Sequence, residues 1–169
     1  MKGRGYLEIK GLGLIEICEE KDGISNINFR DNRLEEIHSK EVEKCIKQLK
    51  EYFEGKRKVF DVKLDISQGT EFQQEAWKAL LNIPYGETRS YQEQAVYIKN
   101  PKAVRAIGGA NHRNPISIII PCHRVIGKNG KLTGYGGGLF RKEYLLDLEK
   151  LNIGCLLYTS PSPRDGATS

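Results

Sequence analysis

The chain is 169 residues long, carries a formal net charge of +5 and is 29% charged residues. That length suits one domain or two small ones with a real core. No run comes near the roughly 18 consecutive apolar residues that span a bilayer. Met1 to Gly5 is not followed by the apolar stretch of a signal peptide. A cytoplasmic location with no membrane partner is therefore expected. The four cysteines, Cys18, Cys45, Cys122 and Cys155, are widely spaced and form no C-x-x-C pair. This argues against a zinc ribbon or a dithiol redox motif, and neither metal nor cofactor is expected.

Residues 5–30 alternate apolar and polar side chains in the manner of strands. Lys21-Asp22-Gly23, between Leu12–Cys18 and Ile24–Phe29, supplies a hairpin turn. Ser39 reads as the N-cap of a helix whose Val42, Cys45, Ile46, Leu49, Tyr52 and Phe53 recur at helical spacing, stopped by Gly55. Cys45 lies on that apolar stripe and reads as core. Val59 to Ile66 reads as a further strand. The pattern predicts a small α/β subdomain over residues 1–66 with no chemistry of its own.

Ser67-Gln68-Gly69 marks a change of composition and a domain boundary. Thr70-x-x-Gln73 is a capping box that opens a helix containing Phe72, Ala76, Trp77, Leu80 and Leu81, closed by Ile83-Pro84-Tyr85-Gly86. Ser90-x-x-Glu93 is a second capping box, for a short helix through Ala95 and Val96. Asn100-Pro101 predicts a third helix over about residues 102–110, with Asn at the N-cap and Pro at the first helical position. Two short helices joined by a tight turn form a helix-turn-helix pattern. The third helix has one long cation, Arg105, among Ala103, Ala106, Gly108, Gly109 and Ala110. It lacks the Asn, Gln and Arg cluster that reads major-groove base edges. Small residues let a groove wall approach, and an arginine can enter the base stack as a wedge. The alternative is that they simply pack this helix against its neighbour.

Charge is unevenly placed. Residues 1–65 hold 14 basic and 14 acidic side chains, whereas residues 66–154 hold 12 and 7. Between Glu93 and Glu143 there are nine bases and no acid, the footprint of a surface for a polyanion such as nucleic acid. Within this stretch the β-branched run Ile116–Ile120 reads as a buried strand, and Pro121 predicts a turn at its end. The turn presents Cys122-His123-Arg124-Val125. A thiol becomes nucleophilic as the thiolate, through a base or a positive field, and His123 and Arg124 could supply these. Gly127–Gly130 reads as a turn. Thr133 to Gly138 is a Gly-rich loop able to aim backbone N–H groups into a pocket. It is not a phosphate-binding P-loop, since no Lys-Ser/Thr follows in register. The last amphipathic helix, Arg141 to Leu151, sets Glu149 beside its apolar stripe, either solvated or turned inward toward a histidine. Residues 155–169, rich in Ser, Pro and Gly, read as a non-native, disordered tail, so Cys155 is left out of the functional argument.

Taken together, Ser90-Tyr91-Gln92, Asn100 to Ala110, Asn114-Pro115, Ile119 to Val125 and Tyr135-x-Gly137-Gly138-Leu139 resemble the O6-alkylguanine-DNA alkyltransferase family (methylated-DNA–protein-cysteine methyltransferases). Order and spacing agree over roughly residues 67–151. The resemblance implies an α+β protein: the small N-terminal α/β subdomain, then a mostly helical, winged-helix-like domain with a helix-turn-helix over residues 67–154. It implies a monomer that binds double-stranded DNA through the minor groove and flips out an alkylated base. Arg105 would replace the flipped nucleotide, Tyr91 would press on the adjacent phosphate, and Gln92, Ala106, Gly108 and Arg113 would complete the DNA face. Val125, Tyr135, Gly136 and Gly137 would line the base pocket. Cys122 would take the alkyl group, irreversibly and once per molecule, from O6-alkylguanine or O4-alkylthymine. His123 would accept the thiol proton through a water, Glu149 would hold His123, Asn114 would brace the loop and Tyr91 would protonate the leaving base.

Gly136 stands where the family often has Ser or Ala, which leaves room for alkyl groups larger than methyl. The zinc ligands of some relatives are absent. Two other readings compete. A lesion sensor without catalysis would not need Cys122. A Cys-His hydrolase would need its histidine from elsewhere, because neighbours on an extended chain point to opposite faces.

Overall fold

The computed structural model describes residues 1–158, with side chains through Ile153. Three antiparallel strands come first: β1 (Gly3–Ile9), β2 (Gly13–Glu20) and β3 (Gly23–Arg30), in that spatial order. The register runs from Gly3 opposite Glu19 to Ile9 opposite Gly13, and the expected hairpin joins β2 to β3 with Gly23 at φ 149°. Helix α1 (Lys40–Phe53) lies across one face, and the Ser39 hydroxyl accepts from the Val42 N–H at its start. The approach is close because β1 carries glycine there: a Cβ on Gly5 would sit 2.8 Å from Val42 and Ile46 side-chain atoms.

The second half is mostly helical. Helices α2 (Glu71–Leu80) and α3 (Tyr91–Tyr97) each begin with the expected reciprocal capping box, at Thr70/Gln73 and Ser90/Glu93. Helix α4 (Val104–His112) packs on both. Trp77 Nε1 donates to the Ala110 carbonyl at 2.8 Å, and Gln94 and Asn111 exchange amide hydrogen bonds of 2.9 and 2.7 Å. These bonds lock the helix-turn-helix as a unit. Strand β4 (Arg89–Ser90) pairs in parallel with β5 (Val125–Ile126). The last helix, α5 (Leu139–Tyr158), runs through residues 155–158 of the segment expected to be disordered; the rest of that segment, 159–169, lies outside the described residues.

Three sequence expectations need correction. Val59–Ile66 is not a strand: only Leu64 bridges to Ile24, while the Gln48 and Glu41 side chains take the N–H groups of Asp61 and Lys63. Ile116–Ile120 is buried as expected but is not a strand either. Ile116 bridges to Ile27, and the chain then turns through Ile118 at φ 74°. Both failures have one cause. The free edge of β3 is divided between two segments, and each gets a single bridge. The third correction concerns α4, which starts three residues later than Asn100-Pro101 implies and has no side-chain cap at Ala103. Residues 100–103 close a turn instead, with Ala103 N–H bonded to the Asn100 carbonyl.

Candidate active site

Pro121 ends the Ile116–Ile120 turn, and Cys122–Arg124 forms one 3-10 turn, so the thiol sits on tight turns rather than at a strand end. Asn114 organises this region. Its Oδ1 accepts from the Ile116 N–H at 3.0 Å, and its Nδ2 donates to the Ile120 carbonyl at 2.8 Å and to Cys122 Sγ at 3.3 Å. Asn114 thus bonds both to the turn that follows it and to the sulfur. Ile118 is β-branched and fully buried, yet sits in left-handed backbone space, a strained conformation that the surrounding packing must hold.

The two residues after the thiol, His123 and Arg124, join a buried ionic cluster centred on Glu149 of α5. Glu149 Oε2 contacts His123 Nε2 at 2.7 Å and accepts from Arg124 Nη2 at 2.9 Å and the Tyr52 hydroxyl at 2.6 Å. Its Oε1 accepts from Arg124 Nε at 2.8 Å and from the Gly86 N–H at 3.1 Å. Glu149 does face inward to the histidine. Burial alone would raise its carboxyl pKa, but the bonds and charges of His123 and Arg124 hold it well below the usual carboxylate range. Burial pushes the His123 imidazole down, against the pull of Glu149. His123 Nδ1 has no partner among the described residues. Burial pushes the Cys122 thiol up, partly offset by the Asn114 hydrogen bond and the Lys142 charge. The resting site is thus a thiol, a neutral imidazole and a carboxylate at neutral pH.

Arg124 does not supply a positive field to the thiol. It is turned to Glu149 and to the Ile83 carbonyl, 2.7 Å from Nη1. The cation that acts on Cys122 is Lys142, which the sequence reading missed. Lys142 is fully buried, its Nζ donates to the Thr133 carbonyl at 2.8 Å, and burial pushes its pKa down to about 8. Thr133 Oγ1 lies 2.8 Å from the Tyr91 hydroxyl, so Lys142, the Gly-rich loop and α3 are joined in series. Tyr52 was also missed as a partner of Glu149. A usable signal existed for Lys142: it stands three and seven residues before Leu145 and Glu149, on the inward face of α5.

The pairing of β4 with β5 sets Arg89 opposite Val125, which is fully buried, and Ser90, the residue before Tyr91, opposite Ile126. Tyr135 is buried, Gly136 is exposed and Gly137 packs on Phe29 and Tyr135. On α4, Arg105, Ala106 and Gly109 are exposed, and a Cβ on Gly108 or Gly109 would meet nothing within 4 Å. The small residues at 108 and 109 therefore do not serve packing; they leave a bare helix face. Arg113 is exposed at the C-terminal end of the same helix. Gln92 is exposed and donates to the Pro101 carbonyl at 3.2 Å. Among the described residues no group of three or more His, Cys, Asp or Glu is placed to hold a metal, and no helix is long and apolar enough to cross a membrane.

The fold and site define a two-part α+β helix-turn-helix protein with a buried cysteine next in sequence to a His–Glu–Arg cluster. Residues 71–151 match the DNA-binding domain of 6-O-methylguanine DNA methyltransferase, and residues 6–66 match the ribonuclease-like domain of the same proteins. The methylated-DNA–protein-cysteine methyltransferase of Methanosarcina mazei is 53% identical over 146 residues, 82% of this chain and 92% of that protein. That of Mycobacterium bovis is 64% identical over 106 residues, 63% of this chain and 64% of that protein. The structure of Mycobacterium tuberculosis OGT in complex with DNA superimposes with a TM-score of 0.78 at 47% identity, covering 87% of this chain and 92% of that one. The chain belongs to the 6-O-methylguanine DNA methyltransferase family.

Proposed function

We infer that this protein repairs DNA by moving the alkyl group of O6-alkylguanine onto its own Cys122. Family membership supports DNA binding and transfer to a cysteine. The observation that carries the assignment to Cys122 is the Asn114 bond to a buried sulfur next to the His123–Glu149 pair. The Cys122 thiolate attacks the alkyl carbon; the S–C bond forms as the C–O6 bond breaks. The proton leaving sulfur passes through water to His123, whose positive charge Glu149 stabilises. The departing guanine takes a proton from Tyr91, and the proton held by His123 returns to Tyr91 through solvent, so the net change moves one alkyl group to sulfur and one proton to the base. The thioether is stable, and each molecule acts once, as a monomer in the cytoplasm.

Residues 67–154 carry DNA binding and alkyl acceptance in this reading. The bare α4 face enters the minor groove, Arg105 fills the gap left by the flipped base, and Gln92, Ala106, Gly108 and Arg113 contact the surrounding strand. Val125, Tyr135, Gly136 and Gly137 enclose the base. Intact-protein mass after incubation with a duplex holding one O6-methylguanine tests the proposal. The expected gain is about 14 Da, mapped to Cys122 and capped at one per chain. Lesion-selective binding with no mass change would replace repair with lesion sensing. Cys122→Ala is expected to abolish the gain and keep the binding.

A further inference from the structure

A cleft of about 510 Å³ opens between the free edge of β3 and the end of α4. One wall is Asn114, whose amide is 3.3 Å from Cys122 Sγ, and another is the exposed, side-chain-free Gly136. A Cβ on Gly136 would come no closer than 3.6 Å to its nearest neighbour, the His112 carbonyl, so the wall has spare room. Asn114 thus borders both the sulfur and this space, and only alkyl groups larger than methyl have atoms to place there.

The cleft's chemistry is one-sided. Arg30, His112, Arg113 and Arg141 line it, and among the described residues no carboxylate does. Arg141 is held rigidly, between the rings of Phe29 and Phe140 at 4.2 and 4.7 Å, with bonds to the Leu12 and Gly137 carbonyls. Arg30 is bonded to Glu16, but Glu16 is buried outside the cleft and the Arg30 side chain is half exposed. An anion entering here meets fixed and mobile cations without an opposing charge.

We propose that this cleft is a subsite for the far end of the alkyl group, and that it favours adducts ending in an anion over neutral adducts of the same size. The inference rests on Cys122 being the alkyl acceptor. The same S–C bond forms and the same C–O6 bond breaks; the anionic end is a spectator that positions the carbon. The selectivity would come partly from Arg30, which brings the N-terminal sheet into substrate choice.

The test measures single-turnover transfer from one duplex sequence carrying O6-methylguanine, O6-carboxymethylguanine or its neutral isostere O6-carbamoylmethylguanine. The carboxymethyl lesion is expected to react about fivefold faster than the carbamoylmethyl one, the scale of one partly exposed ion pair. The ratio should fall toward one in Arg30→Gln and in Arg113→Gln, and at high salt. Because both lesions share the duplex, general loss of DNA binding cancels in the ratio. Equal rates in the unaltered protein would overturn the proposal, as would variants that slow all three lesions alike, which would make the cleft a backbone-phosphate site. Failure of methyl transfer itself would instead overturn the repair reading.

Discussion

Two buried glutamates in this molecule have nearly the same partners and different consequences. Glu16, in the N-terminal sheet, accepts from the Tyr6 hydroxyl at 2.6 Å and Arg30 Nε at 3.1 Å. Glu149 accepts from the Tyr52 hydroxyl at 2.6 Å and Arg124 Nε at 2.8 Å. Around Glu16 the cluster is a fastener: the Tyr6 hydroxyl also takes the Leu34 N–H, and Arg4 Nη1 holds the Glu35 carbonyl, so residues 31–38 are strapped to the sheet. Around Glu149 one further member, His123, stands beside a cysteine in sequence and keeps its second ring nitrogen without a partner among the described residues. A charged hydrogen-bond cluster is therefore not in itself a catalytic signal. Nor is an unpartnered polar atom, since Arg4 Nε beside Glu16 also has no hydrogen-bond partner among the described residues.

Solvent access also separates the two clusters. The Arg30 side chain is 50% exposed and that of Arg124 8%. Glu149→Gln strands a buried guanidinium and should cost about 3–5 kcal/mol of unfolding free energy. Glu16→Gln leaves a cation that water can reach and should cost about 1–2 kcal/mol. Urea denaturation of both variants measures this, and equal losses would erase the distinction. His123→Asn should slow alkyl transfer by about a hundredfold or more, whereas Glu16→Gln should leave the transfer rate unchanged.

Acid should act on the second cluster first. His123 is kept neutral when folded, below its ordinary value of 6.5, so an unfolded chain binds an extra proton there as pH falls. Stability therefore declines below about pH 6.5. Glu149, also held below its ordinary 4.5, adds a second loss once pH passes under that value. A thermal-unfolding series from pH 8 to 4 reads both, and His123→Asn should remove the first loss while keeping the second. Lys142→Met removes the cation that lowers the thiol pKa. It should slow transfer at neutral pH about tenfold and displace the rate's rise with pH upward. The smallest effect is on the bare face of α4. Gly108→Ala should stabilise the fold by about 0.5–1 kcal/mol, since the methyl meets nothing, yet weaken DNA binding in a titration of labelled duplex.

Features that depend on a few neighbouring residues were readable from the sequence. The Ser39 cap, the capping boxes at Thr70 and Ser90 and the Asp22-Gly23 hairpin all took their expected places. The isoleucine run at 116–120 misled because a short apolar run says buried, not extended. Whether it became a strand depended on how much of the β3 edge was left for it. The inward position of Glu149 was legible through the resemblance and the helical stripe. Tyr52 was not, because its bond to Glu149 spans 97 residues and no local pattern encodes it. Lys142 was passed over because lysine suggests solvent, and only its register on α5 contradicts that.

The 97-residue span from Tyr52 to Glu149 also sets an order of assembly. A growing chain emits the N-terminal sheet and α1 first, then the thiol, and only later the carboxylate that completes the cluster. Closing contacts so distant along the chain is slow. During that interval the nascent Cys122 has neither its final burial nor its organised neighbours and stands open to oxidants. If Cys122 is the single-use acceptor proposed above, it can thus be spent before it is finished. The cell's working repair capacity then depends on how quickly new chains mature as well as on how many are made.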